Sequence, residues 1–310
     1  MLYLTEQEVR DLLPMPVAIA RMASVFAHLE AGSAVNQPRR RLVLPSEAVL
    51  HQMAGADGPY FGTKIYSTHR RYGAWFFFLL YRSDDGRPLA LMEANYLGQI
   101  RTGAASGYAT DLMAPADASR LGVIGSGFQA RTQIEAISTV RKMREIRVWS
   151  RSSERRQSFA EETGVESGLP IRAVGSAEAA VRGADIVVTA TNAKDPVLDA
   201  DWVLPAAHVN ATGSNQAARR ELPSELIARA SLIAVDSLEQ SRIESGDLLL
   251  SEDRHHWAAD KVVELQSVKR SARQGITIFK SNGLAVEDVA AASHVYEEAL
   301  RLKMGREFYS

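Results

Sequence analysis

"RLGVIGSGFQARTQIEAI", residues 120–137, decides how this chain is read. An apolar run leads into a glycine turn, and the turn leads into an amphipathic helix. Gly125, Gly127 and Ala130 fit the spacing G-x-G-x-x-G/A directly after a strand and at a helix start. There, unpaired backbone N–H groups and the helix dipole favour a pyrophosphate. The competing reading is a tight strand-to-helix turn that binds nothing, and the surrounding pattern weighs against it. From Ser119 onward, strands are expected at "LGVIG", "EIRVWS", "PIRAV", "DIVVTAT", "AHVNAT" and "SLIAVD", with helices such as "QARTQIEAISTV" and "SERRQSFAEET" between them. Parallel strands need crossover helices, so this alternation predicts an α/β, Rossmann-type, doubly wound parallel sheet.

The residues before the turn follow a different pattern. "TEQEVRDLL" carries the capping-box spacing of Thr5 and Glu8, and "PVAIARMASVFAHLEAG" reads as a second helix ending at Gly32. Between residues 39 and 94 the period changes to that of strands, in "RLVLP", "YFGTKIYSTH", "AWFFFLLYR" and "PLALMEA". Asp84-Asp85-Gly86 joins the last two as a hairpin, which predicts an antiparallel sheet. The helix "GQIRTGAASGYATDLM" is rich in small residues that permit close backbone approach. At the far end, "AVEDVAAASHVYEEALRLKMG" is a long amphipathic helix expected to leave the Rossmann region and pack back on the first. Trp149 and the "WFFF" run are expected in the core.

Composition narrows the function classes. The chain has 310 residues, 46% of them hydrophobic, and a formal net charge of -1, so no basic field is present for nucleic acid or a membrane surface. Small-molecule partners are favoured. The absence of cysteine excludes disulfides, thiolate metal sites and a cysteine nucleophile, and fits a reducing cytoplasm. No stretch is apolar for the ~18 residues that a membrane span needs. His255-His256-Trp257 has no third ligand at a recognisable spacing, so no metal site is expected and the trio reads as a surface loop.

The end of the second Rossmann strand bears on the cofactor. NAD-binding folds usually place a carboxylate about 20 residues past the glycines for the ribose hydroxyls. Here "IRVWS" runs into Ser150-Arg151-Ser152-Ser153. A guanidinium with hydroxyls suits a 2'-phosphate, so NADPH is the expected cofactor and NADH the alternative. In the opposing reading Ser152 or Ser153 simply caps the next helix and Arg151 faces solvent.

Across nearly its whole length the chain resembles the ornithine cyclodeaminase/mu-crystallin family. The resemblance rests on "RRRLVLP", "FGTKIYS", "GQIRTGAASGYAT", "LGVIGSGFQARTQ", "VWSRSSERRQSFA", "VNATGSNQAARREL" and "FKSNGLAVEDVAAA", in the family's order and approximate spacing. It implies a Rossmann domain inserted in a discontinuous α+β domain that binds substrate and dimerises. The expected domains are residues 1–115 plus 286–310 for substrate and dimerisation, and 116–285 for the dinucleotide. The resemblance also implies a homodimer and roles for particular residues. Arg41 matches the arginine that grips a substrate carboxylate, Lys64 the lysine beside the reacting carbon, and Arg101 an arginine at the junction of substrate and cofactor. Such residue types suit a 2-imino or 2-amino acid, whose carboxylate needs cationic donors while hydride moves at the adjacent carbon. By themselves, Arg39, Arg40 and Arg41 also read as a solvated basic run, and Lys64 as the end of a strand.

Expected around the dinucleotide are Arg101 and Thr102, the turn residues Gly125, Ser126, Gly127, Phe128 and Gln129, then Ser150, Arg151, Ser152 and Ser153, and finally Thr191, Asn192, Ser214 and Ser281. Thr191, Asn192 and Ser214 follow strands whose carboxyl ends face ligand in a doubly wound sheet. Ser281 matches a family position near the nicotinamide, or else is a turn residue before Gly283. Asn215, expected at the substrate, marks a departure. Cyclodeaminases of the family carry an aspartate there, in a pattern resembling G-G-D-x-P-G-K, to handle the ornithine amine. Asparagine can hydrogen-bond that amine but cannot take its proton. The expected function is therefore NADP(H)-dependent reduction of the C=N bond of a small 2-imino carboxylate, of the cyclic ketimine or pyrroline-2-carboxylate type. The alternatives are an ornithine cyclodeaminase that recycles its bound NAD, and a catalytically inactive ligand-binding protein.

Overall fold

The computed structural model describes residues 1–252, 257, 260–270 and 274–308. It divides into two compact units, Met1–Arg101 with Gly283–Ser310, and Thr102–Asn282. The first begins with β1 (Leu2–Leu4), α1 (Glu6–Leu12) and α2 (Met15–Glu30). Thr5 and Glu8 close the expected capping box, with the Thr5 backbone N–H donating to Glu8 Oε2 at 2.9 Å. Then follow β2 (Ala34–Asn36), β3 (Arg40–Val43), β4 (Val49–Asp57), β5 (Tyr60–His69), β6 (Gly73–Arg82), β7 (Pro88–Glu93) and the start of α3 (Asn95–Met113).

Strands β3 to β7 pair antiparallel in sequence order, and Gly86 turns the last hairpin at φ 70°. The sheet as a whole is mixed, because β1 pairs parallel with β7. Only three residues long, β1 is too short for periodicity to reveal. Strand β4 was equally hard to read, since His51 and Gln52 interrupt its apolar residues and Gly55 weakens it as a strand. Packing explains that glycine: a Cβ at Gly55 would lie 2.8 Å from the Val286 backbone nitrogen.

The second unit takes the rest of α3 and is a fully parallel sheet. Its elements are β8 (Arg120–Ile124), α4 (Phe128–Val140), β9 (Glu145–Trp149), α5 (Ser153–Ser167), β10 (Ile171–Ala173), α6 (Ala177–Val181), β11 (Ile186–Thr189), β12 (His208–Ala211), α7 (Ser224–Arg229), β13 (Ala230–Val235), α8 (Leu238–Glu244), α9 (Gly246–Leu249), β14 (Val262–Glu264) and β15 (Ile276–Lys280). The strand order β10-β9-β8-β11-β12-β15-β13-β14 reverses direction between β8 and β11. Ligands settle at such a reversal, outside the carboxyl ends of the strands. Every residue of β15 is buried, so it shows no alternation, and the sequence did not reveal that it lies between β12 and β13.

The chain then returns to the first unit as α10 (Ala285–Leu302) and β16 (Arg306–Glu307). Helix α10 packs on β4, β5 and α2. The covered face of the sheet holds Met53, Phe78, Leu80 and Met92, all nearly inaccessible. The "WFFF" run is split by the strand period: Phe78 is buried, Phe76 half-buried, while Trp75 and Phe77 lie on the other face, 54% and 42% exposed. The core reading holds for only half of it. A Rossmann-type parallel sheet is thus inserted in a discontinuous α+β unit. No single helix among the described residues is long and apolar enough to cross a membrane.

Helix α3 meets α4 backbone to backbone, since a Cβ at Gly103 would lie 2.6 Å from the Thr132 carbonyl oxygen. Gly103→Ala is expected to destabilise the fold by roughly 1–3 kcal/mol. The readout is a lower urea midpoint at unchanged slope, and an unchanged midpoint would contradict the close approach.

Candidate active site

On the covered face of the first unit, register builds a row of side chains. Arg41 of β3 lies opposite His51, His51 opposite Tyr66, and Tyr66 opposite Phe76, and directly opposed residues share a face. The His51 and Tyr66 rings stack at 4.2 Å, and those of Tyr66 and Phe76 at 4.9 Å. Lys64 lies two residues before Tyr66 and so points the same way. Its Nζ sits 5.7 Å from the centre of the Phe76 ring.

Lys64 belongs to a buried charge cluster. Its Nζ donates to Asp288 Oδ1 at 3.0 Å, and Arg101 Nε donates to the same oxygen at 3.1 Å. Arg101 Nη1 donates to Glu287 Oε2 at 3.0 Å. All four side chains are nearly inaccessible to water. Two glycines make room: a Cβ at Gly98 would overlap the Lys64 ammonium, and one at Gly283 would press into the Arg101 guanidinium. Gly283 also holds φ 81°, which side chains rarely adopt. Buried Arg39 donates to its carbonyl oxygen at 3.2 Å.

Three titratable groups here are displaced, each for a physical reason. Burial pushes Lys64 down to about 8, with Asp288 pulling it up and Arg101 pressing it further down. Burial pushes Asp288 up, but Arg101 and Lys64 outweigh it and hold the carboxyl below its usual range. His51 falls to about 4, through burial and then through Arg41 and Arg39. At neutral pH His51 is uncharged.

In the second unit, the expected turn sits at the carboxyl end of β8. Gly125 adopts φ 125°, and a Cβ there would overlap the Ala190 carbonyl oxygen. Gly127 is the N-cap of α4 and provides no side-chain cap, and nothing lies within 4 Å of where its Cβ would be. The first turn of α4 therefore offers backbone donors to open space, which fits a pyrophosphate. Ser126 donates to Ser150 Oγ at 2.8 Å, linking the turn to the end of β9. Phe128 and Gln129 open α4, Phe128 being 45% exposed. Ser152 caps α5 by accepting from the Arg155 backbone N–H, and Ser153 is the first residue of that helix. Arg151, between Ser150 and Ser152, is exposed.

Thr191 and Asn192 follow β11, while Ser214 and Asn215 follow β12. Both loops are tied by Glu221, a fully buried residue that the sequence reading did not single out. Its carboxylate accepts from Thr189 Oγ1, from the Thr191 backbone and hydroxyl, and from the Gly213 backbone, at 2.7–3.0 Å. Burial and neighbouring Asp247 push its pKa up. Lys280, on β15, joins Asp247 Oδ2 at 3.1 Å and donates to the Ser214 carbonyl at 2.5 Å. Ser281 is buried and donates to Asp236 Oδ2 at 3.4 Å. A single buried acid in "RREL" looks like any exposed one in sequence; Glu287 and Asp288 did leave a signal, two adjacent acids in the first turn of a helix, directly followed by the apolar run Val289–Ala292. His255 and His256 lie outside the described residues. Among the described residues, no group of three or more His, Asp or Glu could hold a metal ion.

The model of the ornithine cyclodeaminase/mu-crystallin family matches residues 1–303. A Delta(1)-pyrroline-2-carboxylate reductase of Bacillus cereus is 39% identical over 227 residues, covering 71% of this chain and 70% of that protein. The ketimine reductase mu-crystallin of Mus musculus is 38% identical over 223 residues, covering 71% and 68%. The structure of Thermococcus litoralis Delta(1)-pyrroline-2-carboxylate reductase in complex with NADH and L-proline superposes with a TM-score of 0.93 at 31% identity, covering 99% of this chain and all of that one.

Glu221→Ala leaves four donors around the two loops without their acceptor. It is expected to cost at least ~3 kcal/mol in urea unfolding, whereas Glu221→Gln, which keeps one acceptor oxygen, costs less. Equal losses would mean that the carboxylate does not organise these loops.

Proposed function

The chain belongs to the ornithine cyclodeaminase/mu-crystallin family, and from that premise we propose that it is an NADP(H)-dependent oxidoreductase reducing the C=N bond of a small 2-imino carboxylate. The substrate class is a cyclic ketimine of the pyrroline-2-carboxylate type. One observation carries the reading: a buried lysine, displaced to about 8, sits in the same cluster as a buried arginine. An amine with its pKa near neutrality exchanges protons readily at working pH. The first unit serves as the substrate and dimerisation domain, and the second as the dinucleotide domain.

Arg41 and Arg101 supply the guanidinium donors for the substrate carboxylate. A reduced nicotinamide, when bound, would supply the hydride for the imine carbon. Lys64 delivers one proton to the imine nitrogen, so that C=N becomes CH–NH, and regains its proton from solvent. His51, Tyr66 and Phe76 form a stacked column of rings beside Arg41 and Lys64, and neutral His51 adds no charge to it. Gly125, Ser126, Gly127, Phe128 and Gln129 are the residues to hold the pyrophosphate, with Thr102, Thr191, Asn192, Ser214 and Ser281 toward the nicotinamide. A cysteine-free chain that draws on reduced dinucleotide fits the cytoplasm.

The preference for NADPH rests on Arg151. Ser152 is already engaged as a helix cap, so the exposed guanidinium carries the discrimination, with Ser150 and Ser153 beside it. NADPH should bind about ten- to a hundredfold more tightly than NADH, and Arg151→Ala should remove most of the difference. Equal affinities in the unmutated protein would place Arg151 in solvent.

Homodimerisation is assigned to the outer face of the first sheet, where Leu42, Ile65, Trp75 and Phe77 are 58%, 39%, 54% and 42% exposed. Exposed apolar clusters of this kind mark association surfaces. Light scattering at micromolar concentration should find a dimer, and Trp75→Glu should yield monomers. A wild-type monomer contradicts the assignment.

The central test compares two reactions. The protein should convert pyrroline-2-carboxylate to proline with consumption of NADPH, while ornithine with catalytic cofactor should give little proline or ammonia. Asn215 stands where cyclisation needs a base, and losing one general base removes a factor of about a hundred to ten thousand. Rapid, equimolar proline and ammonia from ornithine would favour the cyclodeaminase instead.

A further inference from the structure

We propose that Asp288 is the positioning residue of the active-site lysine: through one carboxylate oxygen it holds both Lys64 Nζ and Arg101, and so keeps the ammonium charged and fixed for proton delivery. The inference rests on the reading of Lys64 as the proton donor in imine reduction. Lys64 is buried, only 3% exposed. Asp288 faces it from α10, where neighbouring Glu287 pairs with Arg101; Arg101 and the bare Gly98 face it from α3, Arg39 from the segment before β3, Phe76 from β6, and Met53 from its register position on β4. Of the charges acting on it, Arg101 and Arg39 favour the neutral amine and Asp288 the ammonium. Burial also favours the neutral amine. Asp288 is therefore the group that keeps Lys64 charged.

The carboxylate is itself held in its ionised form by position. It lies in the first turn of α10, where the helix dipole favours negative charge. Folding alone does not account for it. Asp288 Oδ1 takes two cationic donors, whereas Oδ2 is equally buried and accepts no hydrogen bond among the described residues. Well-packed apolar side chains are commonly as stable as a buried ion cluster, so a charge left half-satisfied points to chemistry. Each turnover removes one proton from Lys64. Asp288 stabilises the form that must be restored, and its two bonds hold Lys64 and Arg101 at fixed separation.

The test follows Lys64 directly, without substrate. In protein carrying 13Cε-lysine, assigned by comparison with Lys64→Arg, the Lys64 resonance is titrated in wild type and in Asp288→Asn. Wild type should titrate near 8, and the variant about one unit or more lower. In parallel, the pH profile of pyrroline-2-carboxylate reduction by NADPH should lose its high-pH limb at a correspondingly lower pH. Asp288→Glu, which restores the charge, should recover much of both. Asp288→Ser, which admits water, serves if the asparagine variant does not fold, as judged by circular dichroism. A folded variant whose Lys64 titrates as in wild type, or whose rate falls with no movement of the limb, overturns the proposal. A wild type that reduces no imine, although Lys64 titrates as described, overturns the reductase reading and with it the delivery role. That outcome is distinguishable from failure of the pairing itself.

Discussion

Burying an ammonium and a guanidinium in the same core is possible only if anions are buried with them, because each uncompensated charge there costs several kcal/mol. Lys64 comes from the middle of a sheet and Arg101 from the helix after it, and no acid in either element reaches them. Glu287 and Asp288 reach them from 186 to 224 positions along the chain. The first unit therefore cannot be completed by its own N-terminal segment. The chain has to return, and α10 must lie across the sheet with its first turn at Lys64. Gly55, Gly98 and Gly283 are the local consequences: each is bare where that helix or its ion cluster passes.

The same constraint explains why a dinucleotide turn begins more than a third of the way along the chain. The Rossmann unit is an insertion between the residues that need counter-ions and the helix that brings them. In that unit the carboxyl ends of the central strands are stitched by Glu221, Asp236 and Asp247, which accept mostly from loop backbones. Loops fixed in this way present Thr191, Asn192, Ser214 and Asn215 at one end of the sheet with little freedom to rearrange.

Local physics made much of this readable. The capping box at Thr5, the strands of "YFGTKIYSTH" and "AWFFFLLYR", and the strand-turn-helix around Gly125 are all set by residues within a few positions of one another. What stayed hidden depends on distance or burial. Strand β15 is buried on both faces, so its pattern gave no alternation, and its place between β12 and β13 is a matter of topology. Strand β4 carries His51 for a row of rings that forms only when three strands align. At the site, Arg41, Lys64 and Arg101 were named by motif, but the acids that govern Lys64 and Arg101 lie in another segment. Ser152 accepts from Arg155 as a helix cap, a role open to its hydroxyl alongside any bond it donates. Such polar partners are chosen by tertiary contact, which short-range pattern does not encode.

The central claim is that this chain moves hydride directly onto the carbon of a 2-imino carboxylate, with Lys64 supplying the proton. The most direct test uses NADPH stereospecifically deuterated at the nicotinamide C4, with pyrroline-2-carboxylate in ordinary water. Mass spectrometry of the proline formed should find one deuterium at C2 from the labelled face, and Lys64→Met should slow its appearance by about a hundredfold or more. Proline without deuterium from either face, or deuterium transfer at an undiminished rate in Lys64→Met, would contradict the account.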